Sequence, residues 1–150
     1  MLRAVLESAL YGLHIDTHED LWKVWLNRHV SNSDLRKCKQ EFSYGKIKAT
    51  LIKRSPLLAQ KIDSLYESTI DFGAHPNERA VTSTTKLTRS AEKISFQTDY
   101  LAGDALSANH ALKVTLQVGV GSLSIFEKMR KERFEILGAS ETLARVRVGL

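Results

Sequence analysis

The sequence predicts a mainly α fold, a bundle of about five helices with a β-hairpin between the fourth and the last long helix. Three observations carry that reading. Eight glycines and two prolines in 150 residues leave too few turn formers for the dense corners of a sandwich or barrel. Apolar residues recur at three- and four-residue spacing over most of the chain, as one face of a helix requires. A content of 43% apolar and 26% charged residues suits a single helical domain over 1–150 and excludes linker, collagen-like and mucin-like chains.

Leu2, Val5, Leu6, Ala9, Leu10 and Leu13 mark the first helix, which runs to about Leu13. It has no cap before it, which leaves two readings: an exposed, frayed start, or a chain whose first element is missing. Thr17 and Asp20 have the spacing of a capping box and open a short helix carrying Leu21, Trp22, Trp25 and Leu26, with both tryptophans placed in the core. Ser31, Asn32 and Ser33 break that helix and cap a third, in which Leu35, Phe42, Ile47, Leu51 and Ile52 are apolar and Gly45 weakens the middle. Ser55 and Pro56 start a fourth, with Leu58, Ile62, Leu65, Tyr66 and Thr69 on one face and Gly73 as its stop. Alternation at Ile94, Phe96, Thr98 and Tyr100 reads as a strand, with Val81, Ser83, Thr85 and Leu87 as its partner and Arg89 to Glu92 as the turn. Asp104 caps the longest helix, marked by Leu106, Leu112, Leu116, Val120, Leu123, Phe126 and Met129 beside Val114, Val118 and Ile125, and Gly138 ends it. Its middle is apolar on nearly every side, which places it centrally, and its last turns, Glu127 to Arg133, are charged and exposed. Gly119 and Gly121 read as points of close helix packing.

A net charge of +5 favours acidic partners or nucleic acid without demanding either. Cys38 is the one cysteine, so no internal disulfide forms, and a reducing, cytoplasmic setting is expected. Glu7 interrupts what would be the apolar region of a signal peptide, and the uncharged stretch from Val114 to Phe126 falls short of a bilayer span, so no membrane segment is expected.

His14, Asp16, His18, Glu19 and Asp20 cluster in seven residues, but the cap at Thr17 separates the histidines, and the cluster reads as a polar connection with no metal. No phosphate-binding glycine motif occurs and no cofactor is expected. Between Asp34 and Arg54 the basic residues outnumber the acidic by five, and Arg36, Lys37, Lys39, Lys46 and Lys48 are the candidates to receive phosphate. Only Phe42 and Tyr44 lie near them as bases could stack on, so any RNA affinity there would be independent of sequence. The densest group of specialised residues is Ile70 to Arg79, where Gly73 permits a helix stop, Pro76 restrains His75 and Asn77 forms turns. Such a corner holds an imidazole in a fixed orientation, bonded either to backbone or to a ligand. The ligand reading assembles a pocket from Glu7, His75, Asn77 and Arg79, with Arg3 or Arg28 near it.

The run Leu2 to Ala9, the run Leu21 to Arg28, and Leu65-Tyr66-Glu67 leading into Asp71 to Asn77 together resemble a group of bacterial helical proteins. Some of these are distantly similar to the HEPN superfamily of helical ribonucleases, toxins and defence proteins, and the resemblance covers roughly the first 80 residues. In the ribonuclease branch an arginine precedes a histidine with about four to six residues between, and no Arg/His pair here has that spacing. The resemblance therefore implies a non-catalytic relative, with an interaction or structural role in defence or stress; the alternative is an RNA-binding or ribonuclease-related protein. A homodimer is expected because helical bundles commonly bury apolar seams between copies and the first helix lacks a partner at its start.

Overall fold

The computed structural model describes residues 2–71, 85–90, 93–98 and 105–148, and these form a mainly α fold with one small hairpin. The helices are α1 (Leu2–Asp16), α2 (Leu21–Leu26), α3 (Asn32–Glu41), α4 (Tyr44–Arg54), α5 (Pro56–Thr69), α6 (Ala105–Met129), α7 (Lys131–Ile136) and α8 (Ala139–Val148). A 3-10 turn, Asn27–His29, follows α2. The strands β1 (Thr85–Arg89) and β2 (Ile94–Thr98) pair antiparallel, Leu87 opposite Phe96.

Helix α1 is the hub, packing against α4, α5 and α6. Leu6, Ala9, Leu10 and Leu13 stand on its buried face and meet Ile47 and Leu51 of α4, Ala59, Ile62 and Tyr66 of α5, and Val118 and Ile125 of α6. A second cluster of Leu21, Cys38 and Phe42, joined by Tyr11 and Trp25, fixes α2 and α3 to the far end of α1. Burial at this spacing, rather than intrinsic propensity, is what stabilises helices of ten to fifteen residues. At the end of α1, Asp16 accepts from Arg130 at 2.7 Å and lies 4.0 Å from Arg54, gathering the ends of α1, α4 and α6.

Several boundaries differ from the sequence expectation, each for a local reason. Helix α1 runs on to Asp16, and Thr17 does not open a capping box: its hydroxyl donates to the His14 carbonyl and closes α1 instead. Trp22 is about half exposed, so only Trp25 joins the packed cluster. The single third helix is two, because Phe42 turns into the aromatic cluster and Ser43 is extended, capping α4. The Ser31 cap is present, its hydroxyl accepting from Asp34 N, and Pro56 occupies the first turn of α5. The long helix stops at Met129, where Arg130 leaves helical geometry and its guanidinium bonds both the Met129 carbonyl and Asp16. Gly138, at φ +65°, ends α7 rather than α6. Glu127 is only partly exposed because Arg147 of α8 covers it. Gly73, Val81, Ser83, Glu92, Tyr100 and Asp104 lie outside the described residues, while Ser90 and Lys93 close the hairpin turn with mutual hydrogen bonds.

The largest difference concerns the placement of α6. Its buried side is Val118, Gly121 and Ile125, whereas Leu112, Leu116 and Leu123 face outward and Phe126 lies at the edge, partly exposed and beside Gly12 of α1. Of the two glycines only Gly121 is a point of close packing: a Cβ there would stand 2.8 Å from Ile62 Cδ1, and one on Gly119 would meet nothing within 4 Å. Gly121→Val is expected to destabilise the fold by about 1–3 kcal/mol through overpacking. Gly45→Ala, in the first turn of α4 with open space around it, is expected to stabilise by roughly 0.4–1 kcal/mol. Denaturant melts of both variants check the pair, and equal stability would contradict the close approach at Gly121.

Candidate functional site

Three features of the described surface bear on function: a polar recess beside α1, the basic face of α3 and α4, and the uncovered side of α6.

The recess, about 200 Å³, lies among α1, α4 and α5. One turn apart on α1, Arg3 and Glu7 face α5, and Arg3 Nε donates to Glu7 Oε1 at 2.9 Å. The same carboxylate oxygen accepts from the Tyr66 hydroxyl at 2.9 Å. Tyr66 stacks on Tyr44 with centroids 4.1 Å apart, and Tyr44 donates to Asp63 at 3.0 Å, where Lys48 also pairs at 2.7 Å. Burial, reinforced by the neighbouring carboxylates Glu7 and Asp63, pushes both tyrosine hydroxyls up, so each stays a protonated donor. Lys48 holds the Asp63 carboxyl below its ordinary range. With donors matched to acceptors throughout, the recess works as a clamp that ties α1 to α4 and α5.

Of the pocket expected around His75, the structure places Glu7 in this clamp; His75, Asn77 and Arg79 lie outside the described residues. Arg28 does not approach Glu7: it bonds the Trp25 carbonyl and lies 4.4 Å over the Trp25 ring. The Tyr44–Asp63–Lys48 arm has no motif in the sequence, because its members come from two helices and meet only through their packing.

The five basic candidates divide. Lys46 pairs with Glu41 at 3.0 Å and Lys48 with Asp63, so both have local partners. Arg36, Lys37 and Lys39 are exposed on α3 without an ion pair among the described residues. If phosphate is received here, glutamine at these three positions is expected to abolish salt-sensitive RNA retention, while Lys46→Gln and Lys48→Gln leave it nearly unchanged. Filter binding at low and high salt distinguishes the sets, and the reverse ranking would contradict the division.

His14 is buried where α1 meets α4. Its Nδ1 lies 2.7 Å from Thr50 Oγ1, and its ring packs edge-on to Phe42. His18 stands beside it across the cap at Thr17, and no metal-binding group of three such side chains occurs among the described residues. Burial pushes the His14 pKa below 6.5; His18 and Lys46 act in the same direction, against the Glu41 carbonyl and carboxylate. Its contribution to stability is therefore full above about pH 6.5 and is lost as the pH falls toward the lowered folded-state value. Denaturant titrations between about pH 7.5 and 5 should show a steeper loss for the parent than for His14→Gln, and equal slopes would contradict the buried neutral ring.

On α6, Leu112, Leu116, Leu123 and Phe126 are 63%, 55%, 48% and 39% exposed. With Gly119 they follow a 4-3-4-3 spacing, the seam of a helix that packs against another helix. From Val114 to Phe126 no charged residue interrupts this face. The spacing was available in the sequence; what the sequence does not show is that α1 and α5 cover the opposite side.

No family model matches the chain, and comparison with curated proteins and with solved structures gives no significant match.

Proposed function

We propose that this chain is a non-catalytic interaction protein of the bacterial cytoplasm that works as a homodimer paired through α6. The supporting observation is the uncharged, outward-facing seam of Leu112, Leu116, Gly119, Leu123 and Phe126. An apolar face of this kind on a protein of net charge +5 needs a cover, since exposed helix faces ordinarily carry charge. A second copy suits it because the seam is self-complementary. A two-fold axis near Gly119 sets Leu116 against Leu123 of the other copy and Leu112 against Phe126, with the two glycines crossing at the centre. Covering a half-exposed Leu or Phe contributes on the order of 1 kcal/mol, so eight such side chains supply roughly the scale of the association cost. The missing Arg/His spacing supports a role without catalysis, and Cys38, buried and free, suits a reducing compartment.

Light scattering at tens of micromolar is expected to give about 34 kDa, twice the 16.9 kDa chain. Leu116→Lys with Leu123→Lys is expected to give a folded monomer with unchanged helical content. A parent mass of one chain at every concentration would sink the proposal.

A further inference from the structure

A second surface, separate from both the seam and the clamp, is the groove between α5 and α6. It encloses about 570 Å³. Its floor is Leu58, Ile62, Leu65 and Val120, with Gly121 beside them. That volume lies in the range of small-molecule sites. The apolar floor runs along α5 as a single extended alkyl chain would.

The charge on the groove is of one sign. Lys61, Lys128 and Arg147 line it, and no carboxylate does. Arg147 is held by Ser124 Oγ at 2.7 Å and Glu127 at 2.8 Å, whereas Lys61 and Lys128 are exposed and have no ion pair among the described residues. Asp16 reaches both Arg130, just after α6, and Arg54, just before α5, so the two helices run antiparallel. Lys128 therefore stands at the Ser55 end of the groove, Lys61 lies between, and the uncharged Gln117 and Ser68 mark the other end.

We propose that this groove binds a single-chain amphiphile with an anionic head, a long-chain carboxylate, its tail along Leu58, Ile62, Leu65 and Val120 and its head toward Lys128 and Lys61. The volume selects a small molecule over a peptide helix, and the two ammonium groups without an ion pair among the described residues select an acid over a neutral lipid. The walls belong to one chain, so binding does not need the dimer.

The test is calorimetry and methyl NMR with dodecanoate, below micelle-forming concentration, beside dodecanol and acetate. Dodecanoate is expected to saturate at one per chain and to shift the methyls of Leu58, Ile62, Leu65 and Val120. Dodecanol is expected to bind about tenfold more weakly, and acetate not measurably. The exposed double variant Lys61→Glu/Lys128→Glu should weaken dodecanoate by about tenfold or more and leave dodecanol unchanged. Ser64→Trp, also at an exposed rim position, should block both, while Leu116→Lys/Leu123→Lys should bind as the parent does. Equal affinity for acid and alcohol, indifference to the lysine changes, or shifts outside the groove would overturn the proposal. So would no saturation, or displacement of dodecanoate by an acidic helical peptide that binds more tightly.

Discussion

The fold depends on how closely α6 can lie against α1 and α5. Gly121 is a point of that close approach, where a Cβ would meet the tip of the Ile62 side chain at 2.8 Å. From that contact Val118 and Ile125 reach Leu6, Leu10 and Leu13, and the core closes around α1. The same geometry has a second consequence. A helix seated against neighbours on one side can bury only the residues on that side, and α6 carries apolar residues on more sides than α1, α5 and α8 cover. The seam from Leu112 to Phe126 and the groove beside Val120 both follow from this excess, one facing away from the bundle and one at its edge.

Polar interactions then fix how the helices around α1 are set rather than whether they pack. Glu7 accepts from Arg3 and Tyr66, Asp63 from Tyr44 and Lys48, and Asp16 from Arg130. Each carboxylate joins groups from different helices or from successive turns of α1. Because Glu7 and Asp63 are only partly buried, these bonds keep much of their strength without a large desolvation cost. His14 is the more demanding case, since its ring must stay neutral between α1 and α4.

The helical class and the hairpin were legible because each rests on a local period, 3.6 residues for the buried face of α1 and two for Ile94, Phe96 and Thr98, whereas Arg89, read as part of the turn, stands in β1 opposite Ile94. Caps that use one residue's own side chain, such as Ser31, were legible for the same reason. Boundaries set by tertiary partners were not: the split at Phe42 depends on an aromatic cluster from three elements, and the stop at Met129 on the bond from Arg130 to Asp16, 114 residues apart. The placement of α6 failed in a physically instructive way. An apolar helix reads as central by composition, but which side is inside depends on the helices beside it, and here Val118 and Ile125 prevailed over Leu116 and Leu123. The candidate site was legible at Glu7, with Arg3 beside it, and in the charge of α3, because Tyr44, Asp63 and Tyr66 carry no spacing that marks them.

The central claim is that the outward side of α6 is covered by a second copy of the chain. Its most direct test is the solvent accessibility of the Leu112, Leu116 and Leu123 methyls, read from relaxation by a soluble paramagnetic probe as the protein is diluted. Self-pairing predicts methyls protected at high concentration that become accessible together on dilution, while those of Leu6, Leu10 and Ile62 stay protected throughout. Accessibility of the α6 methyls that does not change with concentration, whether high or low, would contradict it.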